Sequence, residues 1–561
     1  MKRIIILSAI SALLLSGCSS MMDTDSEMME YAEDNTLHSA QDSVYSVMGI
    51  LYKMQTIADR SVLLGEIRGD LTTTTTQANS DLKKLATFDV TTSNRYNNIA
   101  DYYAVINNCN YYLAHIDSTL QKNGKKLFAG EIAAVHGMRA WTYLQCATAY
   151  GSIPYVTDPV LTEKEAQDEM NKTPSDIQTV CNNLITDLMP YIDTPLPKNI
   201  STYYYIPVRV ILGDLCLWAG RYTEAAQYYH DYLTLSSDPK PSDAKFKVSW
   251  SESEKTFESI RDGYSRNIGT RSGEVPSVIP MESQNYYGVK SDLEEIFNST
   301  SNNYYYFQVT PSQGLKDISA AQTYCKVYKA SDTETDTLYA PKTGLKRENQ
   351  AGDLRLYANY NFNSINQSAN SRYNSMNQTI EKINGSEIPT TRLGIIYLRY
   401  AEALNRAGYP QSAFAVLKYG LYKEAIAAHI DSTEIKAAGS LITFNSNDFT
   451  SENTMGIHSR GCGNSDANAY YTLPIPGAKD KCVTRQDTVN YQIPLVENLI
   501  VTEMALEGSF EGYRYYDLMR VALRRNDVNY LAEPISMRNG TKNEAIYSLL
   551  QNKSNWFLPK P

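Results

Sequence analysis

The sequence predicts a mostly α-helical protein, a scaffold of helical hairpins with one irregular subdomain inserted into it. Three observations carry that reading. Apolar residues recur at helical spacing through the first half of the chain. Two hairpin-like segments with small residues at matching positions lie at 208–233 and 398–421. Around them, residues 241–390 and 431–495 lose helical period and fill with polar and turn-forming residues.

The chain opens with MKRIIILSAISALLLSGC. Lys2 and Arg3 form a basic start, and Ile4 to Leu15 is an apolar run of twelve residues. A spanning helix needs ~20 residues, so this run is too short to cross a bilayer. Small residues then lead to Cys18, the pattern of a secretory signal. Residues 1–17 therefore read as a signal peptide, and the closing cysteine resembles the lipidation site of bacterial lipoproteins. Residues 18–37 are acidic and aperiodic, a flexible tether.

From 38 to 240 helical patterns dominate. Ile99, Ile106, Leu113 and Leu120 recur every seven residues, with Tyr102, Cys109 and Ile116 between them, which predicts one apolar helix face over six turns. Glu131 to Tyr150 predicts a second helix, ended by Gly151 and Pro154. In 208–233, Leu212-Gly213, Gly220, Tyr222 and Ala225-Ala226 fall close to tetratricopeptide spacing. Small residues let two antiparallel helices approach, and Gly220 makes the turn. Residues 398–421 repeat the idea with Ala401, Ala403, Leu404, Gly408, Ala413 and Leu417. The two hairpins are far apart, so a large insertion must separate them. The second half, 241–561, then holds a loop-rich insertion at 241–390 and scaffold helices near 391–430 and 495–525.

Composition narrows the function. A net charge of −10 argues against nucleic acid, which needs clustered Lys and Arg. Of eight cysteines, Cys109, Cys146, Cys181 and Cys216 sit in apolar helical contexts and read as buried thiols. Cys462 and Cys482 flank a loop and could pair. The six histidines show no metal-ligand spacing, so no metal site is expected. No cofactor is expected beyond, at most, a structural calcium ion. GNSDA at 463–467 is a poor nucleophile elbow, and Arg68-Gly69-Asp70 is an adhesion tripeptide better explained by chance and a turn. Tyr is in surplus, 44 against 12 Phe and 4 Trp. Its flat apolar face and polar tip suit hydroxyl-rich ligands, although more than half of these rings are expected simply to pack.

Glu503, Glu507 and Glu511 follow one another at four-residue spacing, with Arg514, Asp517 and Arg520 beyond. An acid pair for glycoside hydrolysis is one reading. Opposite charges interleaved at helical spacing favour the other, an ion-pair network knitting the last helices to the scaffold. No catalytic residue is therefore expected.

Three segments resemble one family: EIAAVHGMRAWTYLQCATAYGSIPYVTDP at 131–159, LRYAEALNRAG at 398–408, and VTEMALEGSFEGYRYYDLMR at 501–520. With the closing NWFLPKP and the lipoprotein signal, the chain resembles the SusD/RagB family of outer-membrane nutrient-binding lipoproteins of Bacteroidetes. Met519 and Val521 stand where that family commonly has Arg and Trp. The resemblance implies a SusD-like fold and capture of an extracellular nutrient, most simply an oligosaccharide. It also implies a SusC-like, TonB-dependent outer-membrane barrel as partner, with the lipoprotein as its lid. RagB-like members take peptides, so a peptide is the alternative ligand; a surface glycosidase and a purely protein-binding scaffold are further alternatives. The place implied is the cell outer membrane, surface-exposed and held there by lipid alone. Asp23, Asp25 and Glu27, close after Cys18, resemble the surface-export signal of such proteins.

Ligand-binding candidates are loop residues in two regions. Asp70, Asn94, Arg95 and Tyr96 surround the loop after the first helices, where Leu71 to Gln77 could line a pocket. Tyr286, Tyr287, Tyr304, Tyr305 and Tyr306 lie in the insertion. Ring stacking plus hydrogen bonds from Asp, Asn and Arg would make a sugar platform.

Overall fold

The computed structural model describes residues 40–198, 201–235, 274–284, 286–297, 308–322, 325–329, 333, 335–339, 353–359, 380, 382–383, 385–451, 456–462 and 471–560. The longer helices are α1 (Ala40–Glu66), α2 (Ile99–His115), α3 (Ala129–Tyr150), α4 (Ile177–Leu188), α5 (Val208–Ala219) and α6 (Tyr222–Leu235). After the insertion come α7 (Leu393–Arg406), α8 (Pro410–Lys418), α9 (Arg485–Gly508), α10 (Arg514–Arg525), α11 (Asn529–Met537) and α12 (Glu544–Leu550). Each packs on the next along this order, from α1 to α12, and α10 also touches α1. Most of the core is therefore one continuous apolar layer, with a smaller cluster around Trp556 under α10 to α12.

The two sequence-distant hairpins meet in this stack. α5 and α6 form the first, and α7 and α8 the second, and α6 packs directly on α7. Gly220 turns the first hairpin in the left-handed region, at φ 78°, where a side chain would be strained. Inside it a Cβ on Gly213 would lie 2.5 Å from the Tyr229 ring. The small residue sets the approach, as the spacing predicts.

Strands are few. β1 (Thr72–Thr74), β2 (Gln121–Lys122), β3 (Lys125–Lys126), β4 (Ser277–Pro280), β5 (Val309–Pro311), β6 (Cys325–Lys329), β7 (Thr335–Tyr339) and β8 (Glu387–Thr391) form antiparallel pairs β1–β5, β2–β3, β4–β8 and β6–β7. Two of these position the insertion. β5 sets Val309 against Thr74 and Pro311 against Thr72, and β8 runs straight into α7.

Some boundaries differ from the sequence reading. α2 stops at His115 because Ile116 turns extended, at φ −72° and ψ 129°, so Leu120 lies beyond the helix. Residues 431–495 are not all loop. A helix spans Ser432–Ala438, and α9 begins at Arg485 behind a Thr484–Asp487 capping box. Pro494 would ordinarily stop such a helix. Here Asn405 Nδ2 donates to the Ile493 carbonyl and Arg525 Nη2 to the Pro494 carbonyl, each at 2.9 Å.

Much of the tyrosine surplus is structural. Tyr102, Tyr112, Tyr143, Tyr205, Tyr229 and Tyr232 are among the largest fully buried side chains. Several hydroxyls pin helices to loops or termini: Tyr143 donates to the Val156 carbonyl at 2.6 Å, and Tyr515 to the Trp556 carbonyl at 2.7 Å. A Phe could fill the space but could not satisfy the carbonyl. The thiols of Cys109, Cys146, Cys181 and Cys216 are buried and free, and Cys482 is free as well.

The insertion is fixed to α9 by buried charge. Glu507, fully buried, receives Arg392 Nη1 at 2.6 Å, Arg460 Nη1 at 2.9 Å and Arg355 Nη1 at 3.0 Å. Arg355 also reaches Glu503 at 2.6 Å. Arg392 forks onto Glu511 with contacts of 2.8 and 2.7 Å, and Lys382 reaches the same carboxylate at 2.5 Å. Glu274 bridges Arg392 and Arg460, both at 2.8 Å. Glu503 and Glu507 lie on α9, whereas Glu511 sits in the turn before α10. Burial alone would push the Glu507 carboxyl up, but Arg460, Arg392 and Arg355 outweigh it and hold it well below the usual range. The network is the structural one that interleaved charges predict.

Two further contacts join α1 to the segment before α10. Gly65 and Gly512 touch so closely that a Cβ on Gly65 would fall 1.7 Å from the Gly512 carbonyl oxygen. Beside them Glu66 is buried, and its Oε2 accepts from the Gly512 amide at 3.2 Å. Burial raises the Glu66 carboxyl from its ordinary 4.5 to about 7.

Four outcomes are expected. Gly65→Ala overpacks the contact and lowers stability by ~1–3 kcal/mol. Gly49→Ala, on the exposed side of α1 with nothing within 4 Å, raises it by ~1 kcal/mol; urea midpoints of the two variants should move in opposite directions. Glu507→Gln leaves three buried guanidinium groups under-compensated and costs ~3–5 kcal/mol, read by denaturant unfolding. Glu66 favours the folded state in its protonated form. Its contribution is complete below about 4.5 and is lost as pH rises through about 7. Glu66→Gln should thus gain on the native protein between pH 5 and 8, by ~3 kcal/mol, in unfolding curves taken at both pH values.

Candidate functional site

The two predicted ligand-binding regions are neighbours in space. Gln55 and Asp59, one turn apart on α1, hold the insertion segment 280–292. Gln55 Oε1 accepts from the Val289 amide at 2.8 Å, and its Nε2 donates to the Pro280 carbonyl at 2.6 Å. Asp59 accepts from the Ser291 hydroxyl at 2.6 Å and the Asp292 amide at 2.8 Å. From the other side, Asn79 donates to Gln308 Oε1 with its backbone at 3.0 Å and its side chain at 3.1 Å. With β1–β5, these bonds seat the insertion against the loop that follows α1.

Within that surface the candidates divide. Tyr287 is 94% exposed and directly follows the Ser283–Tyr286 bridge. Tyr286 beside it is half-buried, its ring edge-on to Tyr204 at 5.9 Å between centroids. Arg95 is exposed and leans on Asp81 at 3.3 Å. The Tyr96 ring is buried and its hydroxyl accepts from Asn79 Nδ2 at 3.2 Å. Burial pushes that hydroxyl up, and the Asp292 carboxylate nearby adds to the effect.

Two candidates are occupied by structural work. Asp70 is buried and grips Arg514 of α10 bidentately, at 2.6 and 2.9 Å, so it presents no oxygen to a ligand. Asn94 is buried too. Its Nδ2 donates to the Asp81 carbonyl at 3.1 Å and its Oδ1 accepts from the Tyr96 amide at 3.0 Å, which builds the turn. Arg68 is 1% exposed, so the adhesion tripeptide is out of reach. Leu71 is buried, and Thr72 to Thr74 form β1 rather than a free loop. Cys18, Tyr304, Tyr305, Tyr306 and the GNSDA segment lie outside the described residues.

The acid-pair reading fails on geometry. Glu503, Glu507 and Glu511 are each engaged by buried cations, so none can serve as a raised-pKa general acid. Among the described residues, no group of three or more His, Cys, Asp or Glu side chains could hold a metal ion, and no helix is long and apolar enough to cross a membrane.

The structure also reveals concavities that sequence reading missed. Trp141, Trp218, Tyr513 and Tyr516 surround a small cavity of about 50 Å³, walled by Arg399 and Asp214 in ion contact at 2.6 Å. On the other side of Trp218 runs a groove of about 790 Å³ bordered by Tyr222 and Phe557. Its walls come from six segments between Tyr150 and Lys560. Only the half-exposed Trp218, next to the Gly220 turn, offered a local signal.

No family model and no curated protein matches the chain. Solved structures do. A SusD-like carbohydrate-binding protein from Bacteroides fragilis superposes with a TM-score of 0.56 at 15% identity, covering 88% of each chain. A SusD superfamily protein from Bacteroides thetaiotaomicron gives 0.55 at 14% identity, over 86% of this chain and 89% of that one. A further SusD superfamily protein, from Bacteroides vulgatus, gives 0.55 at 12% identity over 93% and 96%. Helical hairpins stacked across a long insertion, and solved structures matching nearly end to end, establish that this chain has the SusD-like fold.

Proposed function

We propose that this chain is a cell-surface carbohydrate-binding lipoprotein that captures an oligosaccharide and passes it to a TonB-dependent outer-membrane barrel of the SusC type. One observation carries the binding part. An exposed aromatic, Tyr287, lies just before the segment 289–292 that two α1 side chains pin, and Asp292 at the end of that segment approaches Tyr96. An exposed ring offers a sugar its flat face, and Arg95, exposed beside Asp81, adds a donor for hydroxyl groups. Two solved relatives in fold, from Bacteroides fragilis and Bacteroides vulgatus, are described as carbohydrate-binding, which supports the same ligand class.

The anchor follows from the leader. Cys18 after a short apolar run supplies the lipid attachment, and the acidic tether lets the binder move over its barrel. Binding without turnover is the expected activity, because the carboxylates best placed in sequence for hydrolysis are held by arginines.

Tyr287→Ala should cut oligosaccharide affinity at least tenfold by calorimetry while leaving the melting temperature within a degree or two. Unchanged affinity would remove this surface from the reading, and heats from peptides instead of sugars would make the protein a peptide receptor. Cys18→Ala should abolish surface retention and slow nutrient uptake, yet leave affinity intact. A fall in affinity would mean that the tether is part of the site.

A further inference from the structure

We propose that the groove beside Trp218 is a second binding site, for an anionic sugar residue bearing a carboxylate or sulfate. This rests on the carbohydrate-binding reading above and adds a separate site with its own ligand chemistry. At about 790 Å³ the groove has the size of a small-molecule pocket, typically ~300–1,000 Å³. Trp218, Tyr222 and Phe557 border it, each half-buried. Such rings can receive the C–H face of a sugar.

The charge around it is lopsided. Arg406, Arg520, Arg524 and Lys560 line the groove, against one carboxylate, Asp176. Asp176 is committed to capping α4, where it accepts from the Thr179 amide at 2.7 Å. Carboxylates behind the wall are shared. Glu497 alone serves Arg406, Arg524 and Arg525, at 3.0, 2.8 and 2.6 Å. Glu402 serves both Arg406 and Arg520, at 2.7 and 2.5 Å, and Asp517 adds a second contact to Arg520 at 2.8 Å, so Arg406 and Arg520 are matched by buried carboxylates and only Arg524 and Lys560 have charge to offer the groove. Lys560 donates to the carbonyl and hydroxyl of Ser152, neutral groups, so its charge meets no carboxylate among the described residues.

The chain as a whole is acidic, at −10, so this local excess of cations does not come from a basic composition. Arginines also approach the bordering rings: Arg520 lies 5.5 Å from the Trp218 ring centre and Arg406 lies 5.3 Å from that of Tyr222. Aromatic walls interleaved with cations match a sugar ring carrying an acid group. Arg524 and Lys560 are the accessible cations, so they are the ones assigned to the acid.

The test is an array of uronic-acid, sulfated and neutral oligosaccharides, probed with the mature chain and with Arg524→Gln/Lys560→Gln. Acidic glycans should bind the native chain and lose at least tenfold in affinity in the double variant, and in 0.5 M salt. Neutral glycans held through Tyr287 should not change. The uronic-acid and sulfated arms tell which acid is taken. Arg524→Lys/Lys560→Arg keeps the charge and should retain acidic binding, which separates loss of charge from loss of fold. Acidic glycans bound no better than neutral ones, or bound equally by the double variant, overturn the groove site alone. Binding of no glycan by the native chain overturns this site and the proposed function together.

Discussion

Glu507 is the point on which the structure turns. Its carboxylate gathers three arginines from segments separated in sequence, around 355, 392 and 460. A buried charge cluster of this kind contributes little net stability compared with apolar packing. Its effect is on geometry. Each guanidinium accepts only a narrow range of carboxylate directions, so the cluster fixes the segments around 274, 355, 392 and 460 against α9. The segment carrying Tyr287 is held separately, by Gln55 and Asp59 of α1.

The scaffold was largely legible because its cues are local. Gly220, Gly213 and the Ala pairs announce a close helical hairpin, and the interleaved charges after Glu503 announce ion pairs rather than an acid pair. What failed was long-range or context-dependent. Asp70 reads as a loop carboxylate, and nothing near it in sequence reveals Arg514, its partner across the fold. The stretch 431–495 reads as loop, yet α9 begins at Arg485 and runs through Pro494, where side chains from α7 and α10 take the neighbouring carbonyls. Leu120 keeps the seven-residue rhythm after the helix has ended, because apolar residues in a turn can reach the same core.

The tyrosine surplus shows how one composition signal can have two sources. Many of the described rings are buried in the stack, and some of their hydroxyls tie a helix to a distant carbonyl. Tyr287 is the opposite case, almost wholly in water. Composition cannot separate these uses, since both demand the same amphipathic side chain. Burial separates them at once.

The contact of α6 with α7 has a consequence for how such proteins diversify. Leu235 and Leu393 bound a stretch of more than 150 residues, yet the helices they belong to are packed neighbours. The long excursion therefore starts and finishes at one place on the scaffold. For a loop closed at its base, doubling its length costs only ~0.6 kcal/mol. Segments there can lengthen, shorten or be exchanged while the helical stack keeps its shape. The architecture separates a helical chassis from a recognition element, so the parts of that element outside the Glu507 cluster can change without refolding the whole.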